Sequence, residues 1–360
     1  MRIVLSILFA AALTGSPAAG QSRTPPRATG DFVVRDFRLR NGAVLPELRQ
    51  HFTTLGNPVR DAQGRITNGV LVLHGSSGDA SQVLAASFAD ALFGPGQPLD
   101  ASRYYVILPD AIGNGGSTKP SDGMRARFPK YGYEDMVAAQ HRLVTEHFGI
   151  RRLRLVMGIS MGGMHTWLWG IRYPDMMDGL IPIAGQPTAI RGRNLVWRRI
   201  LAHAIRNDPE WKGGDYAEQP RGFLSIMPMF DMLVQNPRTF EATVASYADA
   251  DDYLEEVEEE TLEEDDANNI LYRFEASFDY DPEAELDKIR APVLAILFAD
   301  DELNPPEVSA IERLMPRVRG GKYVMVSAGP TSAGHRNQVQ AALWRDHIAA
   351  FLATLPGGGS

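Results

Sequence analysis

The sequence predicts an α/β fold in which a mostly parallel sheet is covered by helices on both faces. Short β-branched runs alternate along the chain with longer helical patterns, which is the sequence form of that architecture. The chain has 360 residues, 44% of them hydrophobic and 22% charged, and is long enough for a full-sized core. The alternation stops between residues 186 and 288 and then resumes. We therefore expect a helical cap inserted between two strands.

Eight segments are strand candidates, and the turn residues Asn41 and Gly42 separate the first two. That turn favours an antiparallel hairpin, and we expect the other six strands to be parallel. Pro182 weakens the sixth candidate, because proline cannot donate to a sheet ladder and prefers edges or bulges. In chain order the candidates are Phe32–Leu39, Glu47–Thr54, Gly69–Leu73, Tyr104–Leu108, Leu153–Met157, Leu180–Ala184, Val293–Leu297 and Tyr323–Val326.

The first twenty residues have the pattern of a secretory signal peptide. Arg2 precedes an apolar run from Ile3 to Leu13, and small residues follow from Thr14 to Gly20. The run is shorter than the roughly 20 residues of a spanning helix, so we expect no membrane insertion. We predict cleavage after Ala19 or Gly20, a periplasmic or secreted protein, and a short solvated leader over residues 21–30.

The strand pattern and its interruption divide the chain into four segments. Residues 1–20 are the signal peptide, 31–185 the first part of the core, 186–288 the cap and 289–356 the second part of the core. Large apolar side chains in the cap are typical of a helical cover over a cleft, although packing onto the core must account for most of them. They are Trp197, Trp211, Phe223, Met227, Met229, Phe230 and Met232.

Composition excludes several classes of function. The chain has no cysteine, which excludes disulfides, thiolate metal sites and a cysteine nucleophile. The net charge is −8, or −9 without the signal peptide, and the twelve acidic residues between 249 and 266 account for it: without them the mature chain would be +3. Nucleic acid is therefore not expected as a partner. The acidic run lacks the spacing of a calcium loop and is interpreted as a solvated helix face. The sequence implies no metal or organic cofactor.

Strand Leu153–Met157 runs directly into Gly158-Ile159-Ser160-Met161-Gly162-Gly163, and a helical pattern follows. This is the strand, Gly-x-Ser-x-Gly, helix order of a nucleophile elbow. Side chains two positions either side of the serine would collide at such a sharp turn, so glycine is required there. Ser160 is therefore the candidate nucleophile.

A serine nucleophile needs a base, and His335 is the one histidine in the required place. It follows the last strand, in the loop Ser327–Arg336, as the order serine, acid, histidine demands. Surface or packing roles are expected for the histidines on helical segments, which are His141, His147, His165 and His347.

The acid of a catalytic triad should follow the penultimate strand, where Asp300, Asp301 and Glu302 lie. Its task is to orient the imidazole and to stabilise the imidazolium. Periodicity does not choose between Asp300 and Asp301.

Two backbone amides should hold the oxyanion of a tetrahedral intermediate. One is that of Met161, which follows the nucleophile at a helix N-terminus. The second belongs to the loop His74–Gly78, where we favour Ser76 and keep Gly75 as the alternative. His74 is then expected to be structural.

The sequence resembles that of proteins with the α/β-hydrolase fold, and more narrowly those of its homoserine O-acetyltransferase branch. The match covers most of the mature chain. The segments that carry it are Leu71–Ala80, Gly94-Pro95-Gly96, Leu99-Asp100, Arg103-Tyr104, Gly115 with Ser117 and Pro120, Ser160–Met164, Asp208–Trp211, Gly214–Tyr216 and Asp301–Pro306.

The resemblance implies that Ser160 is the nucleophile, His335 the base and Asp301 rather than Asp300 the acid. It also implies a homodimer formed through the cap. Two departures stand out: the segment Gly222–Met232 lacks the arginine with which the transferases bind the amino-acid carboxylate, and Arg336 replaces the aspartate that follows their histidine.

Together these features predict an exported serine hydrolase that cleaves a small carboxylic ester through an acyl-enzyme on Ser160. Without the carboxylate-binding arginine, nothing would hold homoserine in place to outcompete water. Acetyl-CoA, a cytoplasmic metabolite, would also be missing outside the cell. An amide or a lactone would use the same groups. The alternatives are a CoA-dependent acyltransferase and a non-catalytic ligand-binding protein on the same fold.

Overall fold

The computed structural model describes residues 26–356, and an eight-stranded sheet lies at its centre. The spatial order is β1-β2-β4-β3-β5-β6-β7-β8. β1 and β2 form the expected antiparallel hairpin, β2 pairs antiparallel with β4, and the six strands from β3 to β8 are parallel. The mostly parallel sheet is thus confirmed. The strands are β1 (Arg27–Arg38), β2 (Val44–Leu55), β3 (Gly69–Leu73), β4 (Tyr105–Pro109), β5 (Leu155–Ile159), β6 (Leu180–Ile183), β7 (Val293–Phe298) and β8 (Gly321–Val326).

Two segments were predicted before the first strand, a signal peptide and a solvated leader. The predicted signal peptide, residues 1–20, lies outside the described residues. The solvated leader over 21–30 is wrong for its last four residues, because β1 begins at Arg27, which pairs with Leu55. The polar composition misled the prediction: an edge strand forms its ladder through the main chain and tolerates exposed side chains on both faces.

The strand before Ser160 lies two residues later than predicted. Its observed bounds are Leu155–Ile159, and Leu153 makes only an isolated bridge to Met177. Gly158 therefore belongs to the strand, paired with both Leu73 and Pro182. The predicted strand ended at Met157, one residue before this glycine, which allows a close approach of the following helix.

Pro182 occupies an interior strand, contrary to the usual preference for edges. The amides of Leu180 and Ala184 donate to carbonyls of the neighbouring chain segment at 3.0 and 2.9 Å, and the missing N–H of Pro182 falls between them. The register of β6 with β7 is accordingly limited to Leu180 and Ile183. One ladder bond is lost, and the strand is retained because its four residues are all buried.

Helices cover both faces of the sheet, as predicted. Alternation along β3 sends Leu71 and Leu73 to the apolar cluster under α3 and α4, and Val70 and Val72 to the cluster under α2 and α11. The helices are α1 (Ala80–Leu84), α2 (Ala86–Leu92), α3 (Tyr133–Arg142), α4 (Met161–Arg172), α5 (Gly192–Asn207), α6 (Arg221–Val234), α7 (Pro237–Thr243), α8 (Tyr247–Glu264), α9 (Ala267–Glu275), α10 (Ile311–Leu314) and α11 (Arg345–Thr354).

Helices α5 to α9 all lie between β6 and β7, in residues 184–292, which we call the insertion. Helices α5, α6, α8 and α9 contribute to one apolar cluster, in which Trp197 and Phe223 are buried. The acidic run falls on α8, where only Thr261 is buried, as expected for a solvated helix face. Within residues 26–356, every helix is too short or too polar to span a bilayer.

Candidate active site

Ser160 lies at the turn between β5 and α4. Its backbone φ of 50° and ψ of −112° are costly for a residue with a side chain. Hydrogen bonds on both sides hold this conformation: the Ser160 amide donates to the Ile183 carbonyl at 2.9 Å, and the Met164 amide donates to the Ser160 carbonyl at 2.9 Å. The first bond continues the sheet and the second starts the helix, so both elements fix the strained residue.

The glycines around Ser160 are required by close backbone contacts. A Cβ atom on Gly158 would overlap with the Gly162 carbonyl, and one on Gly162 would overlap with the Leu73 carbonyl. Any side chain at these positions would push α4 away from the sheet. This is the steric reason that the elbow pattern predicts.

The structure brings Ser160, His335 and Asp301 together from loops that follow β5, β8 and β7. With His335 in the tautomer protonated on Nδ1, that nitrogen donates to Asp301 Oδ2 at 2.8 Å. His335 Nε2 then accepts from Ser160 Oγ at 2.9 Å. All three residues are buried. Parallel strands end at the same edge of the sheet, which is why residues up to 175 positions apart meet here.

Asp301 is held as a carboxylate by its surroundings. The Leu303 and Asn304 amides donate to its Oδ1 at 2.9 and 3.0 Å, and the Asn304 side chain donates to Oδ2 at 3.2 Å. Burial by itself would raise the pKa of Asp301, but the charge and hydrogen bond of His335, together with Asn304, outweigh it and lower that pKa. The group can therefore remain ionised beside an imidazolium.

Asp300, the alternative acid, is hydrogen-bonded to the loop that carries His335 and not to the imidazole itself. It accepts from the Gly334 amide at 2.9 Å and from the side chains of Asn337 and Asn236 at 2.8 and 2.6 Å. Asn236 belongs to the insertion, so Asp300 also ties the insertion to the histidine loop.

The backbone amides of Ser76 and Met161, the predicted oxyanion donors, are free in the described part of the chain, whereas the amide of Gly75, the alternative, is not. The Gly75 amide donates to Gln82 Oε1 at 2.7 Å and is therefore engaged. In residues 26–356, by contrast, the amides of Ser76 and Met161 donate to no backbone or side-chain acceptor. The geometry thus favours Ser76 over Gly75 as the partner of Met161.

The His74 ring is hydrogen-bonded to the oxyanion loop and to the segment that follows β4. Its Nδ1 donates to the Gly75 carbonyl at 2.7 Å, and its Nε2 accepts from the Ala111 amide at 3.0 Å. Burial lowers its pKa, and the ring makes the contacts of a neutral imidazole. Both nitrogens are occupied by the backbone, which suits a structural residue.

Comparison with known proteins agrees with this fold. A family model described as alpha/beta hydrolase fold matches residues 69–325. A probable acyltransferase of Methanothermobacter thermautotrophicus is 32% identical over 79% of this chain and 87% of its own. A homoserine O-acetyltransferase of Chlorobaculum parvum is 32% identical over 81% of this chain and 87% of its own. The chain belongs to the α/β-hydrolase family.

Solved structures place this α/β-hydrolase near both transferases and esterases. The homoserine O-acetyltransferase of Bacillus anthracis superposes with a TM-score of 0.79 at 23% identity, over 91% of this chain and 98% of its own. Esterase E22 superposes with a TM-score of 0.78 at 20% identity, over 91% of this chain and all of its own. The shared fold is therefore compatible with both activities and does not choose between them.

A cavity of about 410 Å³ opens beside the triad, between the sheet-edge loops and the insertion. Ser76, Ser160 and His335 line one side of it, and Met227 and Phe230 of α6 line the other. Four acidic residues, exposed or half-buried, stand at its mouth: Asp231, Glu260, Glu264 and Asp265. Most of the other large apolar residues predicted for the cap pack within the insertion itself.

Arg336, which replaces an expected aspartate, forms an ion pair with Asp231 of α6. The same carboxylate accepts hydrogen bonds from Gln235 and Tyr253. Arg336 therefore fastens the insertion beside the catalytic histidine loop.

The sequence analysis missed four residues that shape the site. Asn304 could have been found from its place in the tight turn that follows Asp301. Gln82 and Tyr133 give no such signal, because only the folded loops bring them near Ser76. Arg198 is one of four arginines on α5, and the sequence spacing does not mark it as the buried one.

Proposed function

We propose that this α/β-hydrolase is a serine hydrolase that cleaves a carboxylic ester through an acyl-enzyme on Ser160. The observation that carries the proposal is the continuous hydrogen-bonded chain from Ser160 through His335 to Asp301, which opens into a cavity. An amide or a lactone would use the same groups, so the ester is proposed as the commonest substrate of such a site.

The reaction would proceed in two halves. His335 Nε2 takes the Ser160 proton as Oγ attacks the ester carbonyl, and the amides of Ser76 and Met161 bind the resulting oxyanion. His335 then returns the proton to the leaving alcohol as the C–O bond breaks, which leaves the acyl group on Ser160. In the second half a water molecule gives its proton to His335, attacks the acyl carbon and releases the acid while Ser160 regains its proton. Asp301 stabilises the imidazolium in both halves.

Water is proposed as the acceptor partly because of the charge at the mouth of the cavity. Glu260 and Glu264 lie on α8 without an ion-pair partner among the described residues. The phosphates of coenzyme A would have to approach these carboxylates, which is electrostatically unfavourable. The predicted export adds a second reason, because an exported enzyme would be separated from cytoplasmic acetyl-CoA.

A CoA-dependent acyltransferase is the second candidate, and two observations favour it. The relatives that match over most of the chain are named as acyltransferases. The segment Gly222–Met232 has no arginine, but Arg198 of α5 enters the same cavity. A carboxylate-bearing acceptor therefore has a cation available from a different helix.

The test is acyl release from short aryl esters by purified residues 21–360, with Ser160→Ala beside it. Ester turnover should fall by at least about 10³-fold in the variant. Ser102→Ala, which removes an exposed serine, is the matched control and should retain full activity. Acetyl-CoA with homoserine is run in parallel. Robust acetylhomoserine formation would contradict the hydrolase proposal and support the acyltransferase. Ligand binding that persists in Ser160→Ala, without ester turnover in the wild type, would indicate a binding protein.

We further propose that the protein is exported after removal of residues 1–20 and forms a homodimer through the insertion. Mass spectrometry of the native protein should find Gln21 or Gly20 as the N-terminal residue in the periplasm or medium. Sedimentation at micromolar concentration should give a dimer. An intact N-terminus in the cytoplasm would contradict export, and a monomer would contradict the dimer.

A further inference from the structure

The guanidinium of Arg198 is buried in the wall of the catalytic cavity. The residue is only 5% exposed and lies on α5 of the insertion. Its Cζ stands over the rings of Trp197 and Phe274, at 5.3 and 5.2 Å from their centroids. Two aromatic faces therefore hold the planar group in place.

In the described part of the chain, the hydrogen-bond acceptors of Arg198 are neutral. Its Nε donates to Asn194 Oδ1 at 2.9 Å. Its Nη1 makes only long contacts, at 3.4 Å to the Phe274 carbonyl and 3.5 Å to Ser277 Oγ. A guanidinium has five N–H donors, so this set leaves most of its capacity unused.

Arg198 also has no carboxylate partner within 4.0 Å in residues 26–356. The other arginines of the same helix do: Arg193 pairs with Glu302, and Arg199 and Arg206 pair with Glu275. A buried charge without a counter-charge is expensive, and arginine does not escape the cost by losing its proton. The fold therefore maintains an uncompensated cation where it is most costly.

A second unsatisfied group lies beside it. The hydroxyl of Tyr133 is fully buried beside the side chains of Arg198 and Ser76, and in residues 26–356 it makes no hydrogen bond of good geometry. Arg198 and Tyr133 thus offer neighbouring donors close to the oxyanion loop. Arg198 lines the cavity with most of its donors unused, and Tyr133 lies next to it. Buried donors of this kind at a cavity indicate a ligand that completes them.

We infer that Arg198 binds a carboxylate of the substrate, so that this enzyme acts on esters that carry one carboxylate group. The inference rests on the proposed function, because it places the ester carbonyl at Ser160 in the cavity that Arg198 also lines. A planar guanidinium matches the two oxygens of a carboxylate. The inference is limited to one carboxylate, because Glu260 and Glu264 at the mouth repel a polyanion more strongly than a monoanion.

Matched ester pairs test this assignment. One pair places the charge on the alcohol side, β-acetoxypropionate against isoamyl acetate. The other places it on the acyl side, monomethyl succinate against methyl isocaproate. In each pair an isopropyl group replaces the carboxylate at nearly the same size. The wild-type enzyme should prefer the charged member of one pair, measured as the ratio of kcat/KM values.

Arg198→Met should reduce that ratio by about 10- to 100-fold, the range expected for hydrogen bonds to a charged group. Arg198→Lys should restore part of it, since a point charge remains without the planar fork. Arg199→Met is the matched control: it removes a cation from the next position of the same helix, on the surface, and should leave the ratio unchanged. A ratio that is equal in wild type and Arg198→Met for both pairs would overturn the inference.

A binding measurement separates this inference from the proposed function. Calorimetry with Ser160→Ala protein should detect the preferred charged ester and lose it in Ser160→Ala/Arg198→Met. The Tm of unliganded Arg198→Met should equal or exceed that of wild type, because an uncompensated charge has been removed. A lower Tm without any loss of carboxylate binding would make Arg198 a structural residue. Carboxylate binding by a protein that hydrolyses no ester would refute the hydrolase and retain the role of Arg198.

Discussion

The two walls of the cavity satisfy their polar groups to very different degrees. On the sheet-edge wall, Ser160, His335 and Asp301 form a closed chain in which each polar atom has a partner within 3.0 Å. On the insertion wall, Arg198 is equally buried, but within residues 26–356 it has no counter-charge. Next to it, the hydroxyl of Tyr133 on α3 makes no hydrogen bond of good geometry in the same part of the chain. Both walls are well packed, so the difference lies in electrostatics and not in packing.

This contrast separates the groups that react from the groups that recognise. A reacting chain must be oriented before the substrate arrives, and internal hydrogen bonds orient it. A group that recognises the ligand contributes most binding free energy when the ligand supplies a hydrogen-bond partner that the free protein does not. The cost of burying the unsatisfied group falls on the free enzyme.

The largest expected effect lies on the satisfied wall and distinguishes the two neighbouring aspartates. Asp301→Asn should lower kcat by about 10⁴-fold, because an amide donor beside Nδ1 favours the wrong imidazole tautomer. Asp300→Asn is the matched control and should cost less than about tenfold, since Asp300 only braces the loop. Steady-state ester hydrolysis by both variants checks this. Equal losses would show that the loop geometry, and not the carboxylate at 301, controls the histidine.

A smaller effect is expected on the apolar part of the insertion wall. Phe230 lines the cavity and stacks on Trp197 at 4.7 Å. Phe230→Ala should lower kcat/KM for aryl or longer acyl esters by about tenfold relative to an acetate ester. Phe278, which is 72% exposed, provides the control Phe278→Ala. Identical relative rates across an ester series would mean that the apolar wall does not contact the acyl group.

The last effect is on stability and concerns the contact between the insertion and α3, which we call the seam. Here Asp279 accepts from the Tyr133 and Glu134 amides at 2.9 and 3.3 Å. Burial is the main cause that raises the pKa of Asp279 to about 6. The folded state therefore binds this proton more tightly than the unfolded state does. The free energy of unfolding should rise as the pH falls from 7 towards 4, by about 2 kcal/mol from this group.

Denaturant unfolding at several pH values measures this contribution. In Asp279→Asn the rise should be absent, whereas in the control Asp281→Asn, an exposed neighbour, it should persist. If wild type and Asp279→Asn change in parallel between pH 7 and pH 5, the seam does not carry the titration.

Several features were predictable because they depend on local pattern and chain order. The alternation of strands and helices gave the parallel sheet, and the glycines around Ser160 gave the elbow. The order of Ser160, the aspartate pair and His335 gave the three loops that meet. Boundaries were less predictable: β1 begins at Arg27 and β5 at Leu155, because ladder pairing is decided by the neighbouring strand.

The sequence by itself determined which elements exist and which loops carry reactive groups, since side-chain period and steric demands act over a few residues. Only the tertiary structure decided which groups face one another. It turned Asp301 and not Asp300 towards His335, and it engaged the Gly75 amide with Gln82. It also buried Arg198 of α5 without a carboxylate partner among residues 26–356. Burial and ion pairing depend on contacts between distant segments, which local sequence patterns do not specify.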